Sequence, residues 1–217
     1  ASTVTVSDAT AVADAAALVA VSNATVGFTN GITGAVSALV TGGSASTALQ
    51  NVAADDADVT VSVTDGTGTI TATNLSAIGG ATTGTVTVAN GQTITGTAAE
   101  ATAALVTSGT KVVLGAASTV TVSDTSVAAT VLNALKGVTS VTVNATSVNT
   151  VTGTAADVAT TYAAGNISNL GNEAVTITGS DVSSVANLKT INDGTSGSIT
   201  LNSETIAAVM TGSAADL

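Results

Sequence analysis

The chain reads as an α/β protein, a parallel β-strand/short-helix solenoid of about eight coils that takes up residues 1–217 as a single repeat array. Three observations predict it. A valine–threonine strand followed by a small polar residue and aspartate recurs, identically at Ser2–Asp8 and Ser118–Asp124 (STVTVSD) and more loosely from Val59 (VTVSVTD) and Val175 (VTITGSD). A second marker, Thr-Gly-Thr/Ser-Ala-Ala-acid, stands at Thr95–Glu100, Thr152–Asp157 and Thr211–Asp216, and both markers step by about 58 residues. The third is composition: one Phe (Phe28), one Tyr (Tyr162) and no Trp, Pro, Cys or His. A core without rings must be thin and built of small side chains, which suits coils that pack only on their neighbours.

Strand-like segments begin at Val4, Val26, Val59, Val86, Val120, Val141, Val175 and Ile199, at alternately shorter and longer intervals. They group into super-repeats of two coils starting near residues 4, 59, 120 and 175. Ser118–Gly137 is the template coil. Its TVTV alternation puts Val120 and Val122 on one face and Thr119 and Thr121 on the other. Ser123, Asp124, Thr125 and Ser126 then offer side-chain oxygens that cap a helix. Val127, Val131 and Leu135, flanked by Ala128 and Leu132, fall on one helical stripe, and Gly137 ends it.

In the N-terminal copy Ala11, Ala15, Ala16 and Val19 take the corresponding places. Thr97 with Glu100, and Thr154 with Asp157, have capping-box spacing. After Asp65 the text GTGTITATNLSAIGG reads mainly as strand. Parallel strands joined by helices wind right-handed. The alternative architecture is an all-β right-handed parallel β-helix, with strands or turns where helices are expected here. Neither end carries a polar capping repeat, so a segment of a larger array is expected.

The charge and residue types exclude several classes of function. Net charge is −11, with three lysines (Lys111, Lys136, Lys189) and no arginine, so nucleic acid and anionic membranes are poor partners. The longest apolar run, Ala15–Val21, is far too short for a membrane span. Without His or Cys the common base and nucleophile pairings are missing, and no enzyme or catalytic residue is expected. Asp55, Asp56 and Asp58 form the one acidic cluster and read as a solvated loop.

Calcium is the metal to weigh. Asp8, Asp65, Asp124 and Asp181 each follow a strand and would line one edge of a solenoid, where hydroxyl and carbonyl oxygens complete a shell. The glycine-rich nonapeptide of calcium-binding β-rolls is absent, and the competing reading makes these aspartates turn and helix-cap residues. The Thr-x-Thr runs (Thr3, Thr5; Thr69, Thr71, Thr73; Thr93, Thr95; Thr119, Thr121) raise the prospect of a water-ordering, ice-binding face. Their register shifts between coils, which favours an ordinary solvent-facing strand surface.

The strings TVSDTSVAATVLNAL, SVNTVTGTAADVATTYAAGNISNLGNEAVTITGSD and TGSAADL resemble repeats of very large bacterial cell-surface and secreted proteins of the marine cyanobacterial type. The resemblance is closest over 118–217 and poorest over 26–84. It implies a structural role without catalysis in a surface layer, adhesin, motility-related coat or filament, with export by type I secretion. Expected partners are further copies, joined head-to-tail or laterally, and cell-surface polysaccharide or other surface proteins. Related text also occurs in viral structural proteins.

Overall fold

The computed structural model describes residues 2–107, 109, 111–138, 142–179 and 184–201. Within them the chain is an α/β protein of short helices and mostly parallel sheets. It divides into two compact units, residues 1–119 and 120–217. The described helices are α1 (Val12–Val21), α2 (Val36–Leu39), α3 (Thr47–Asp55), α4 (Ala72–Ala81), α5 (Ala98–Leu105), α6 (Ala129–Val138), α7 (Ala155–Ala163) and α8 (Val185–Gly194).

In the first unit three rows of parallel strands are stacked in register. Row A pairs Thr3–Val6 with Thr25–Phe28. Row B runs Thr10–Ala11, Ile32–Gly34, Val61–Val63, Val86–Val88, Val112–Leu114. Row C pairs Gly68–Thr71 with Gln92–Gly96. The path therefore shifts. Up to Gly34 the chain alternates between rows A and B, and from Val61 between rows B and C. Helix α1 packs on α3, and α4 on α5. A two-residue hairpin, Val40–Thr41 with Ser44–Ala45, turns on Gly42 and Gly43 at φ 59° and 79°, the positive values a type I′ turn requires.

In the second unit row D runs Thr119–Val122, Val143–Asn144, Ile167–Ser168, and row E runs Ser126–Ala128, Thr150–Gly153, Ala174–Ile177, Ile199–Leu201. Every step along row E is 24 residues. Helix α7 packs on α6 and on α8.

The core follows from alternation and register together. Inward residues of successive strands stack one strand spacing apart. Ile32, Val61, Val86 and Val112 make such a column in row B, and Val127, Val151 and Val175 make another in row E, all buried. The helices are held by the expected caps. Thr97 accepts from the Glu100 amide while Glu100 accepts from the Thr97 amide, and Thr154 accepts from the Asp157 amide.

Several expectations need correction. Helix α6 begins at Ala129, not after Ser126, and buried Val127 lies in a strand paired with Val151. Asp124 accordingly sits in the turn between two strands and is not the N-cap of that helix. The segment after Asp65 is a four-residue strand followed by the ten-residue α4, with Leu75 and Ile78 buried. The long strand intervals contain additional strands, such as Ile32–Gly34 and Thr150–Gly153, so rows step by 22 to 29 residues and not by a super-repeat. Val141, Asp181 and the marker at Thr211–Asp216 lie outside the described residues.

Candidate functional site

The calcium candidates do not converge. Asp8 lies in the turn that leads into row B at Thr10, whereas Asp65 lies in the turn that leaves row B after Val63. Parallel strands therefore place them at opposite ends of the same row. The Asp65 carboxylate is engaged: Oδ2 accepts the Val36 amide at 2.7 Å, at the start of α2. Asp124 occupies a turn in the other unit. Among the described residues no three His, Cys, Asp or Glu side chains are placed to hold a metal ion.

The acidic cluster is not a solvated loop. Asp55 ends α3 and Asp56 is its C-cap, and their carboxylates reach back 29 and 28 residues to row A. Asp55 Oδ2 accepts the Val26 amide at 2.5 Å and Asp56 Oδ2 accepts the Phe28 amide at 2.7 Å. Burial pushes the Asp56 carboxyl above its ordinary value. The Phe28 amide opposes that, and the Asp58 and Asp55 carboxylates add to it. Asp56 and Asp58 border an open cleft of about 390 Å³ with the hydroxyls of Thr5, Thr29 and Thr60.

A second polar centre surrounds Glu173. Glu173 is 1% exposed, yet both its carboxylate oxygens accept the Gly171 amide, at 2.9 and 2.8 Å, and Tyr162 donates its hydroxyl to Oε2 at 3.2 Å. Burial and the neighbouring Glu173 charge push the Tyr162 phenol up to about 12. A staple from the end of α8 closes the site. Thr195 Oγ1 donates to the Glu173 carbonyl at 2.7 Å and accepts the Gly197 amide at 2.9 Å. A Cβ on Gly194 would stand 2.6 Å from the Tyr162 ring, and one on Gly197 would stand 2.1 Å from the Glu173 carbonyl oxygen. The signal in the sequence is the pair of spacings Tyr162…Glu173 and Thr195-x-Gly197. Its meaning depends on contacts over 11 and 22 residues.

The threonine runs align only in part, since Thr73 lies in α4 and Thr5 stands opposite Gly27. Thr69 and Thr71 pair with Thr93 and Thr95 in row C, and Thr152, Thr176 and Thr200 form one column of row E. These hydroxyl columns stand on the face opposite the buried Ile70, Ile94, Val151 and Val175. Comparison of the chain with protein-family models, with curated proteins and with solved structures finds no match in any of the three.

Proposed function

We propose that the chain is a structural repeat protein, a solenoid segment of an extracellular surface layer, adhesin or filament, which acts as a stiff spacer and assembly module without catalysis. The observation that carries this reading is the constant 24-residue step of row E, in which each coil completes its core only against its neighbours. Such an object lengthens by adding coils, and its mechanical role needs no reactive group. The resemblance to giant surface-protein repeats supports the same reading, as does an acidic, cysteine-free composition compatible with folding after export. Self-association, head-to-tail or lateral, and contact with surface polysaccharide or surface proteins belong to this proposal. No described helix is long and apolar enough to cross a membrane. The test is solution scattering and electron microscopy of the purified chain. Rod-shaped particles that lengthen or associate with concentration are expected, and a compact monomer with hydrolytic activity overturns the reading.

The aligned threonine columns favour a second reading, an ice-binding face on row C or row E. Thermal hysteresis that disappears in Thr152→Lys/Thr176→Lys would establish it, and an unchanged freezing point would dismiss it. A calcium-dependent adhesin is a weaker alternative, because Asp8 and Asp65 lie at opposite ends of row B. It requires a calcium-induced rise in melting temperature equivalent to about 1 kcal/mol or more.

A further inference from the structure

Row A stops after two strands, and the way it stops is unusual. In Thr25–Phe28 alternate amides face opposite ways. The amides of Thr25 and of the following Thr29 donate to Ser2 and Val6 of the neighbouring strand, so those of Val26 and Phe28 point away from it. In row B the corresponding side of an interior strand is taken by the strand of the next coil, as when Ile32 donates to Thr60 and Val61 to Thr85. In row A it is taken by two carboxylates. Asp55 and Asp56 accept the Val26 and Phe28 amides at 2.5 and 2.7 Å.

Those positions are otherwise poor places for acid. Both residues stand at the C-terminal end of α3, where the helix dipole disfavours negative charge. Asp58 lies beside them, Asp14 is on the packed helix α1, and residues 1–60 contain no basic side chain to offset five aspartates. The two amide bonds are what the pair gains in return. Consecutive side chains of an ending helix span the i, i+2 repeat of a strand, about 6.7 Å.

We infer that Asp55 and Asp56 form an autoinhibitory contact, a surrogate strand that closes the row A edge against strand addition by a second copy of this chain. The occupant kept out is the Thr3–Val6 strand of that copy. The same segment already pairs with Thr25–Phe28 in parallel register on the opposite side, from Thr3 with Thr25 to Val6 with Phe28. An unprotected strand edge is a template for such pairing, and charge at the edge is a common defence. Here the charge also satisfies the edge amides. The inference rests on bonds within the first unit, and it touches the proposed self-association only by excluding the row A edge as its route.

The test combines residue-resolved amide exchange with sedimentation over a range of concentrations. In the native chain the Val26 and Phe28 amides should exchange as slowly as that of Gly27. Asp55→Asn/Asp56→Asn keeps an oxygen acceptor at each place and should behave like the native chain. Asp55→Ala/Asp56→Ala should speed exchange at Val26 and Phe28 at least tenfold and produce concentration-dependent association beyond any shown by the native chain. Adding Thr5→Pro, which removes an outward amide from Thr3–Val6, should abolish that association. Rapid exchange at Val26 and Phe28 in the native chain overturns the inference without recourse to any variant, should the alanine pair fail to fold. So does an alanine pair that associates no more than the native chain, or added association that survives Thr5→Pro.

Discussion

Residues 57–59 with 82–84 of the first unit and residues 171–173 with 195–197 of the second share one hydrogen-bonding plan and differ in the side chain at its centre. After α4, Thr83 donates its amide to the Ala57 carbonyl at 2.8 Å, and after α8, Ser196 donates to Gly171 at 2.8 Å. Thr82 and Thr195 each donate a hydroxyl to the earlier coil, to the carbonyls of Val59 and Glu173, both at 2.7 Å. Each threonine oxygen accepts the amide two residues on, from Gly84 or Gly197, at 2.9 Å. Val59 and Glu173 thus occupy the same place, each 1% exposed. One is apolar and needs nothing. The other is a carboxylate whose oxygens hold the Gly171 amide and the Tyr162 hydroxyl. The backbone staple is therefore the common element, and the side chain at its centre is free to change only together with its partners.

Exchanging the two centres should break that equivalence most sharply. Val59→Glu places a carboxylate where no tyrosine is paired with it, and an uncompensated buried charge costs about 4 kcal/mol. Urea unfolding should show the first unit lost. Native-like stability would mean that the site has room for water and is not equivalent to that of Glu173. Next in size come Gly84→Ala and Gly197→Ala. The added Cβ would meet a backbone carbonyl oxygen at 2.2 Å in the first unit and 2.1 Å in the second. Backbone cannot swing aside as a side chain does, so each should cost about 2–3 kcal/mol, and by similar amounts if the staple is shared. A large cost in one unit and none in the other would show that the two are merely alike in drawing.

Glu173→Val should be milder, about 1–2 kcal/mol, because it leaves two donors without acceptors but inserts a side chain the fold accepts at Val59. Thr82→Ala and Thr195→Ala remove one hydroxyl that both donates and accepts, for about 1 kcal/mol each by the same denaturation series. If either alanine variant were as stable as the parent, the staple would rest on its backbone bonds alone.

These local devices explain which parts of the structure could be read in the text. Alternation marks Thr119–Val122 because its valines are buried on one face, a period-2 signal, and Thr97 with Glu100 announces a cap because both partners lie within one turn. The spacing of Val127, Val131 and Leu135 is ambiguous, because apolar residues four apart also fit a strand residue followed by a helix, so it does not show that α6 starts only at Ala129 and leaves Asp124 in a turn. The four valine–threonine heads fall in rows A, B, D and E, since the pattern specifies a strand and a turn but not the row it joins. Asp55 and Asp56 looked solvated because their partners are 29 and 28 residues away. Glu173 was passed over for a similar reason. An isolated acid in polar text gives no sign that a tyrosine and an amide will enclose it.

The smallest expected effect discriminates the two centres by pH. Tyr162 is the one tyrosine of the chain, and burial, helped by the Glu173 charge, lifts its phenol from 10.0 to about 12. A proton held more tightly in the folded than in the unfolded state stabilises the fold fully below pH 10, and that contribution is lost as pH rises from 10 towards 12. The second unit should therefore weaken with base over that window, with tyrosinate absorbance rising late, while the first unit has no phenol to titrate. Other groups of a protein also titrate in alkali, so the parent profile alone does not isolate the phenol. Tyr162→Phe does. It keeps the ring against Gly194, should cost about 1 kcal/mol at neutral pH, and should flatten the difference between parent and variant above pH 10. Parallel base-melting curves for parent and variant would show that the hydroxyl reaches Glu173 without contributing to stability.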